Sequence, residues 1–158
     1  MSSRREFLFN TISTITIAGV SGSLASILQS CAANPTGLNS YSGITKIAAS
    51  PVDNKIELTI DSANPLSIIG GILLLVYNNG DNGVLLQRIN TTEIKALTAV
   101  CTHQGCIVDL FSAEENNFGC PCHGSRFNLN GGVVQGPADS PLQSFSTTFE
   151  NNYLTIFL

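Results

Sequence analysis

The strongest constraint on this chain is a short window in its second half that holds both of its histidines and four of its five cysteines. Two motifs carry them, CTHQGC at residues 101–106 and CPCHGS at residues 120–125. Two disulfides would account for four cysteines, but they would leave the position of both histidines unexplained. Thiolates and imidazoles together are typical ligands of zinc, copper and iron–sulfur clusters. The window therefore predicts a metal centre held between two loops.

Ligand chemistry alone leaves the kind of metal centre open. A structural zinc ion could take the Cys-x-His pair of the first motif and the Cys-x-x-His pair of the second as four tetrahedral ligands. A two-iron cluster with two thiolates on one iron and two imidazoles on the other could use the same four side chains. Zinc would leave two cysteines without a role, so the spacing favours the cluster without excluding zinc.

The residues of the two motifs resemble those of the Rieske iron–sulfur family, specifically the disulfide-containing branch found in quinol-oxidising cytochrome bc and bf complexes. The resemblance extends over about half of the chain. It implies a 2Fe–2S cluster in which Cys101 and Cys120 bind one iron while His103 and His123 bind the other. It also implies that the Gly-Pro-Ala loop at residues 136–138 covers a third side of the cluster.

The same resemblance gives roles to further residues of the motifs. It implies a disulfide between Cys106 and Cys122 that ties the two loops together. It also implies that the Ser125 hydroxyl donates to a cluster sulfide and raises the reduction potential; the alternative is an ordinary loop-capping serine. We expect Gly105 and Gly124 to let the backbone approach sulfur closely enough to donate N–H bonds.

Two positions depart from the family pattern. Phe127 occupies a place where respiratory members usually carry a tyrosine whose hydroxyl donates to a ligand-cysteine sulfur. Phenylalanine keeps the packing but cannot donate, so we expect a lower potential. Gln104 replaces the usual leucine that shields the cluster and docks into the quinol pocket, which makes the tip more polar and puts direct quinol oxidation in doubt.

The first 30 residues resemble a signal sequence for export. Arg4 and Arg5 precede an uncharged stretch from residue 7 to residue 30, which resembles a twin-arginine signal. Cys31, after Leu-Gln-Ser, resembles the lipid-modified cysteine of a bacterial lipoprotein, with an uncleaved membrane anchor or soluble export as alternatives. We expect residues 31–44 to form a flexible tether.

The body of the chain favours an all-β fold, because apolar runs of strand length alternate with turn residues and no sustained helical periodicity is present. We expect an antiparallel β-sandwich with a small cluster-binding subdomain. The domain covers residues 45–158 and its cluster-binding part covers about residues 98–140. The strands are predicted at residues 55–60, 71–77, 84–89, 94–100, 132–135, 142–149 and 153–158, the last two as a hairpin.

The charge balance excludes nucleic acid as a partner. The chain carries a formal net charge of −4. Without its first 30 residues it keeps five basic and ten acidic side chains, with no basic stripe. Such a surface repels phosphate backbones.

Together these features predict an electron-transfer subunit rather than an enzyme by itself. The first expectation is the iron–sulfur subunit of a quinol:cytochrome c reductase-like membrane complex. Quinol or a quinol-oxidising cytochrome b would then be the donor and a c-type cytochrome the acceptor, with the domain tethered to the outer face of a bacterial membrane. The alternative is a stand-alone lipoprotein carrier or the small subunit of a periplasmic oxidase similar to arsenite oxidase.

Overall fold

The computed structural model describes residues 37–38 and 40–158. The described part is nearly all β, as predicted, with two short 3-10 helices at Pro65–Ser67 and Asn78–Gly80. Its strands form a seven-stranded sheet and a five-stranded sheet. The strands are β1 (Ser42–Gly43), β2 (Lys46–Ala48), β3 (Lys55–Thr59), β4 (Ile72–Tyr77), β5 (Asn82–Arg88), β6 (Ile94–Thr98), β7 (Leu110–Ser112), β8 (Asn117–Gly119), β9 (Arg126–Asn128), β10 (Val133–Gln135), β11 (Ser144–Glu150) and β12 (Tyr153–Phe157).

The seven-stranded sheet has the order β2-β4-β5-β6-β11-β12-β3. Its pairs are antiparallel except β2–β4, which is parallel. The predicted closing hairpin is confirmed, since β11 and β12 pair directly across a turn at Asn151 and Asn152. Both asparagines have positive φ angles, 50° and 63°. This is the conformation of a two-residue turn that follows the twist of the strands, and asparagine tolerates it well.

The central strands β4, β5 and β6 are buried on both faces, which explains why β4 is a continuous apolar run rather than an alternating one. Successive side chains of a strand point to opposite faces, and here each face enters a different core. One core contains Leu74, Leu85 and Leu97 and extends to Cys101 and Cys120; the other contains Leu73, Leu75 and Leu86 and extends to β3 and β12.

The five-stranded sheet has the order β1-β7-β8-β9-β10 and consists of strands of two or three residues. Apart from β1, its strands follow the first cysteine motif, and the second motif lies between β8 and β9. We call it the cluster-binding sheet. None of its strands before β10 was predicted from the sequence, because runs of two or three residues are too short for periodicity to show.

The predicted boundary of the tether is wrong for its C-terminal part. Leu38 is buried, and β1 pairs with β7 in the register Ser42–Phe111 and Gly43–Leu110. Residues 38 and 40–44 therefore belong to the folded domain, since they supply a buried side chain and an edge strand. The remaining predictions for the N-terminus, including the signal at residues 1–30 and lipidation of Cys31, lie outside the described residues. Within those residues, the structure contains no helix of the length and apolar character needed to span a bilayer.

Candidate metal centre

The first cysteine motif forms a closed six-residue loop. An isolated bridge between Val100 and Ile107 closes its base. Inside the loop, the Cys101 N–H donates to the carbonyl of Cys106 at 2.8 Å, and the Gly105 N–H donates to the carbonyl of Cys101 at 2.9 Å. These two backbone hydrogen bonds define the conformation of the loop without a bound metal.

The second motif repeats this geometry. The pairing of Gly119 with Arg126 closes its base. The Cys120 N–H donates to the carbonyl of Ser125 at 2.8 Å, and the Gly124 N–H donates to the carbonyl of Cys120 at 3.0 Å. The two loops therefore have the same length and the same hydrogen-bond pattern, and each begins with a cysteine.

The glycines in both loops adopt the left-handed conformation, with φ of 75° at Gly105 and at Gly124. A side chain there would be strained. The N–H groups of both glycines donate to the cysteine carbonyls. The Cys120 sulfur accepts from the backbone N–H groups of Cys122 and His123, so in the second loop the backbone does approach the sulfur as expected.

The two free thiols among the described residues are those of Cys101 and Cys120. They are 3% and 1% exposed, and they are hydrogen-bonded to each other. Burial raises the pKa of the Cys120 thiol to about 11, and the neighbouring Cys101 thiol raises it further while the two backbone N–H donors oppose the shift. A cation between the two sulfurs would reverse this effect, because a metal favours the thiolate form.

The two histidines meet at the mouth of the loops. The ring centroids of His103 and His123 lie 4.9 Å apart, and the ring planes are nearly perpendicular, at 87°. Nδ1 of His103 is buried and has no hydrogen-bond partner among the described residues. An unpartnered buried nitrogen is costly, and a metal ion would satisfy it. Two paired thiols and two adjacent imidazoles are the donors that a Cys₂His₂ 2Fe–2S cluster requires.

The disulfide predicted between Cys106 and Cys122 is present, with a Cα–Cα distance of 6.5 Å. It joins the last residue of the first loop to the middle of the second. The sulfurs of Cys106, Cys120 and Cys122 also lie within 4.8 Å of one another. This trio is a poor alternative metal site, because two of its sulfurs are already bonded to each other and are not thiolates.

A third loop closes over the two motifs through side-chain contacts. The Ser125 hydroxyl, fully buried, accepts from the Ala138 N–H at 3.0 Å. The Thr102 hydroxyl donates to the Ser140 carbonyl at 2.6 Å. Ser125 therefore does cap the loop, yet its hydroxyl proton remains available to donate elsewhere.

Two residues that contact the loops, Thr102 and Gln135, were not predicted from the sequence. The side-chain amide of Gln135 donates to the Gly124 carbonyl at 3.4 Å. The position of Thr102 between two predicted ligands could have indicated its role.

The two departures from the family pattern lie in different environments. Gln104 is exposed at the loop tip, and Phe127 is buried beneath the loops.

Comparison with known proteins agrees with a 2Fe–2S cluster as the cofactor. A family model described as the Rieske [2Fe-2S] domain matches residues 60–146, more than half of the chain. Over 136 residues the chain is 35% identical to cytochrome b6-f complex iron-sulfur subunit 2 of Synechocystis sp., which covers 85% of this chain and 72% of that one. It is 31% identical over 108 residues to the cytochrome b6-f complex iron-sulfur subunit of Chlorobaculum thiosulfatiphilum, covering 68% and 57%. The match thus spans little more than half of that relative.

Among solved structures, the cyanobacterial plasma membrane Rieske protein PetC3 from Synechocystis is similar, with a TM-score of 0.43 and 24% identity. The match covers 65% of this chain and 85% of that chain. The family model and the relatives together establish the assignment: this chain belongs to the Rieske [2Fe-2S] family.

Proposed function

We propose that this chain relays single electrons as the iron–sulfur subunit of a quinol-oxidising membrane complex. Cys101 and Cys120 would hold one iron of the 2Fe–2S cluster, and His103 and His123 would hold the other. The observation that carries the proposal is the pair of equivalent loops, in which two buried thiols are hydrogen-bonded to each other and two imidazole rings lie 4.9 Å apart.

When bound, the cluster supplies a one-electron redox centre whose potential is raised by its two neutral imidazole ligands. The chain's own residues set the environment. The buried cysteines keep water away from the sulfurs, and the backbone N–H groups of Cys122 and His123 donate to the Cys120 sulfur. His123 is exposed, so its outer nitrogen can hold a proton or a hydrogen bond at the protein surface.

The proposed donor is quinol or a quinol-oxidising cytochrome b, and the proposed acceptor is a c-type cytochrome. The support is that the two relatives described above are named as cytochrome b6-f complex iron-sulfur subunits. The exposed tip around Gln104 and Pro137 carries a single formal charge, at Asp139, in the third loop. A neutral tip of this kind suits docking by shape and hydrogen bonds rather than by charge pairing.

The proposed location is the outer face of a bacterial membrane, with attachment through a lipid on Cys31 or through an uncleaved N-terminal segment. The paired arginines and the uncharged stretch that follows them support export. The alternative of a stand-alone carrier or an arsenite oxidase-like subunit shares the same electron relay. The names of the relatives do not favour it.

The test is the low-temperature electron paramagnetic resonance (EPR) spectrum of the reduced full-length protein, purified from membranes. The proposal expects a Rieske signal that is lost in Cys101→Ser and in His123→Ala. Cys31→Ser is the matched control, because it removes a cysteine outside both motifs. It should keep the signal, and release of the protein from the membrane would distinguish the lipid anchor from the uncleaved segment. A protein that contains zinc and gives no signal would contradict the proposed electron transfer. Absence of a co-purifying b-type cytochrome would contradict the proposed membership of a quinol-oxidising complex.

A further inference from the structure

The segment before β2 packs across the cluster-binding sheet. We call residues 37–38 and 40–44 the strap. Its backbone attachment is slight, since β1 contributes only two paired residues and Ile44 adds one bond, from its N–H to the carbonyl of Asp109 at 2.8 Å. After the strap, the parallel pairing of β2 with β4 holds the chain to the other sheet.

The apolar contact beneath the strap is shaped by a glycine. Leu38 is 2% exposed and Tyr41 lies beside it over Gly119 of β8. A Cβ added at Gly119 would come within 2.8 Å of the Tyr41 ring and within 3.1 Å of the Leu38 side chain. The strap therefore fits closely into a space that only the absence of a side chain provides.

One arginine contacts the strap at two points and holds a carboxylate beside it. From β9, the Arg126 guanidinium forms an ion pair with Glu115 at 2.8 Å. It also donates to the carbonyl of Gly37 and lies over the ring of Tyr41, 5.3 Å from the centroid. The side chains of Arg126 and Glu115 are 17% and 33% exposed, so water partly screens their attraction, while the charges strengthen the hydrogen bonds they make.

The carboxylate of this ion pair also binds the strap directly. Glu115 accepts from the Ser40 hydroxyl at 2.9 Å and from the Tyr41 hydroxyl at 3.2 Å. The Tyr41 hydroxyl reaches the Asn117 side chain as well. Side chains of Arg126 and Glu115 thus hold both described halves of the strap, where the backbone alone makes few bonds.

We infer that the strap opens and closes as a unit, with Arg126 and Glu115 as its latch. When it is closed, the folded domain includes Gly37; when it is open, the chain from residue 37 to residue 44 is released, a length of about 26 Å if extended. The rest of the sheet does not have to move, because β9 stays paired with β8 and β10 on its two sides. The latch therefore sets the residue at which the folded domain begins.

The test is hydrogen exchange followed by mass spectrometry on the full-length, cluster-loaded protein. In Arg126→Gln, peptides that contain Tyr41 and Ile44 should exchange at least about tenfold faster, since charge-assisted bonds are lost from a segment with few others. The matched control is Arg88→Gln. Arg88 also donates to backbone carbonyls, at Asn90 and Thr91, and lies over an aromatic ring, 4.2 Å from the centroid of Phe149, but it is on the seven-stranded sheet.

A second variant keeps the inference testable if Arg126→Gln perturbs β9. Glu115→Gln preserves the shape of the side chain and should give the same local acceleration, with little further change in the double variant. Unchanged exchange of the strap in both variants would overturn the inference. Equal acceleration throughout the domain would also overturn it, because the strap would then open only with the whole fold. Neither outcome depends on which partner supplies the electrons.

Discussion

The two sheets of this domain are stabilised by different means. The seven-stranded sheet has long strands whose central members are buried on both faces, and it contributes to two apolar cores. The cluster-binding sheet has strands of two or three residues, held by a disulfide, turn hydrogen bonds and the latch of the strap. The comparison teaches that the chemistry sits on loops between short strands, next to a sheet with long strands that positions them.

The largest expected effect is on the seven-stranded sheet. Leu86→Ala removes a fully buried side chain from β5 and should lower the free energy of unfolding by about 2–5 kcal/mol. Urea unfolding measures this. Val134→Ala is the control, because Val134 is 55% exposed and should change stability by less than about 0.5 kcal/mol. Equal losses of unfolding free energy in the two variants would contradict this prediction.

The next effect is on the cluster-binding sheet. The disulfide closes a segment with a sequence separation of 16, so the double variant Cys106→Ser/Cys122→Ser should lose about 3 kcal/mol. The loss should be accompanied by faster hydrogen exchange in residues 101–106 and 120–125, while β4–β6 stay protected under native conditions. Unchanged stability would mean that the loops keep their geometry without this cross-link.

Only part of the fold and of the site could be predicted from the sequence. The clustered cysteines and histidines predicted a metal centre between two loops, and the resemblance of the motifs to the Rieske family implied the disulfide. The run at residues 71–77 predicted β4, since a buried strand is apolar throughout. The strap was missed because its contacts join residues 74 and 89 positions apart, Tyr41 with Glu115 and Gly37 with Arg126. A composition rich in turn residues resembles a tether whether or not it packs.

A third prediction concerns the redox potential rather than stability. Phe127 and Phe118 are both buried and are paired directly across β9 and β8. The family resemblance implies that Phe127→Tyr gains a hydrogen bond to a ligand-cysteine sulfur. A bond of about 1 kcal/mol corresponds to an increase of about 40 mV for one electron. Potentiometric titration measures it, with Phe118→Tyr as the control. An unchanged or lower midpoint for Phe127→Tyr would contradict the prediction.

The smallest expected effect is the pH dependence of the latch. Hydrogen bonding from Ser40 lowers the pKa of Glu115 below its usual 4.5, assisted by Tyr41 and Arg126 and opposed by partial desolvation. The folded pKa is below the unfolded value, so the stabilisation is present above pH 4.5 and is lost as the pH falls through the folded pKa. The difference in unfolding midpoint between the wild type and Glu115→Gln should therefore shrink on acidification. A difference that does not vary with pH would exclude the carboxylate as the cause.

The central claim is that two separate loops hold one iron pair, with one imidazole from each loop. Pulsed EPR on the reduced full-length protein, with its histidines labelled with ¹⁵N, tests this most directly. The account predicts couplings from two histidine nitrogens, one of which disappears in His103→Cys and the other in His123→Cys. A spectrum without histidine nitrogen coupling in the unsubstituted protein would contradict it.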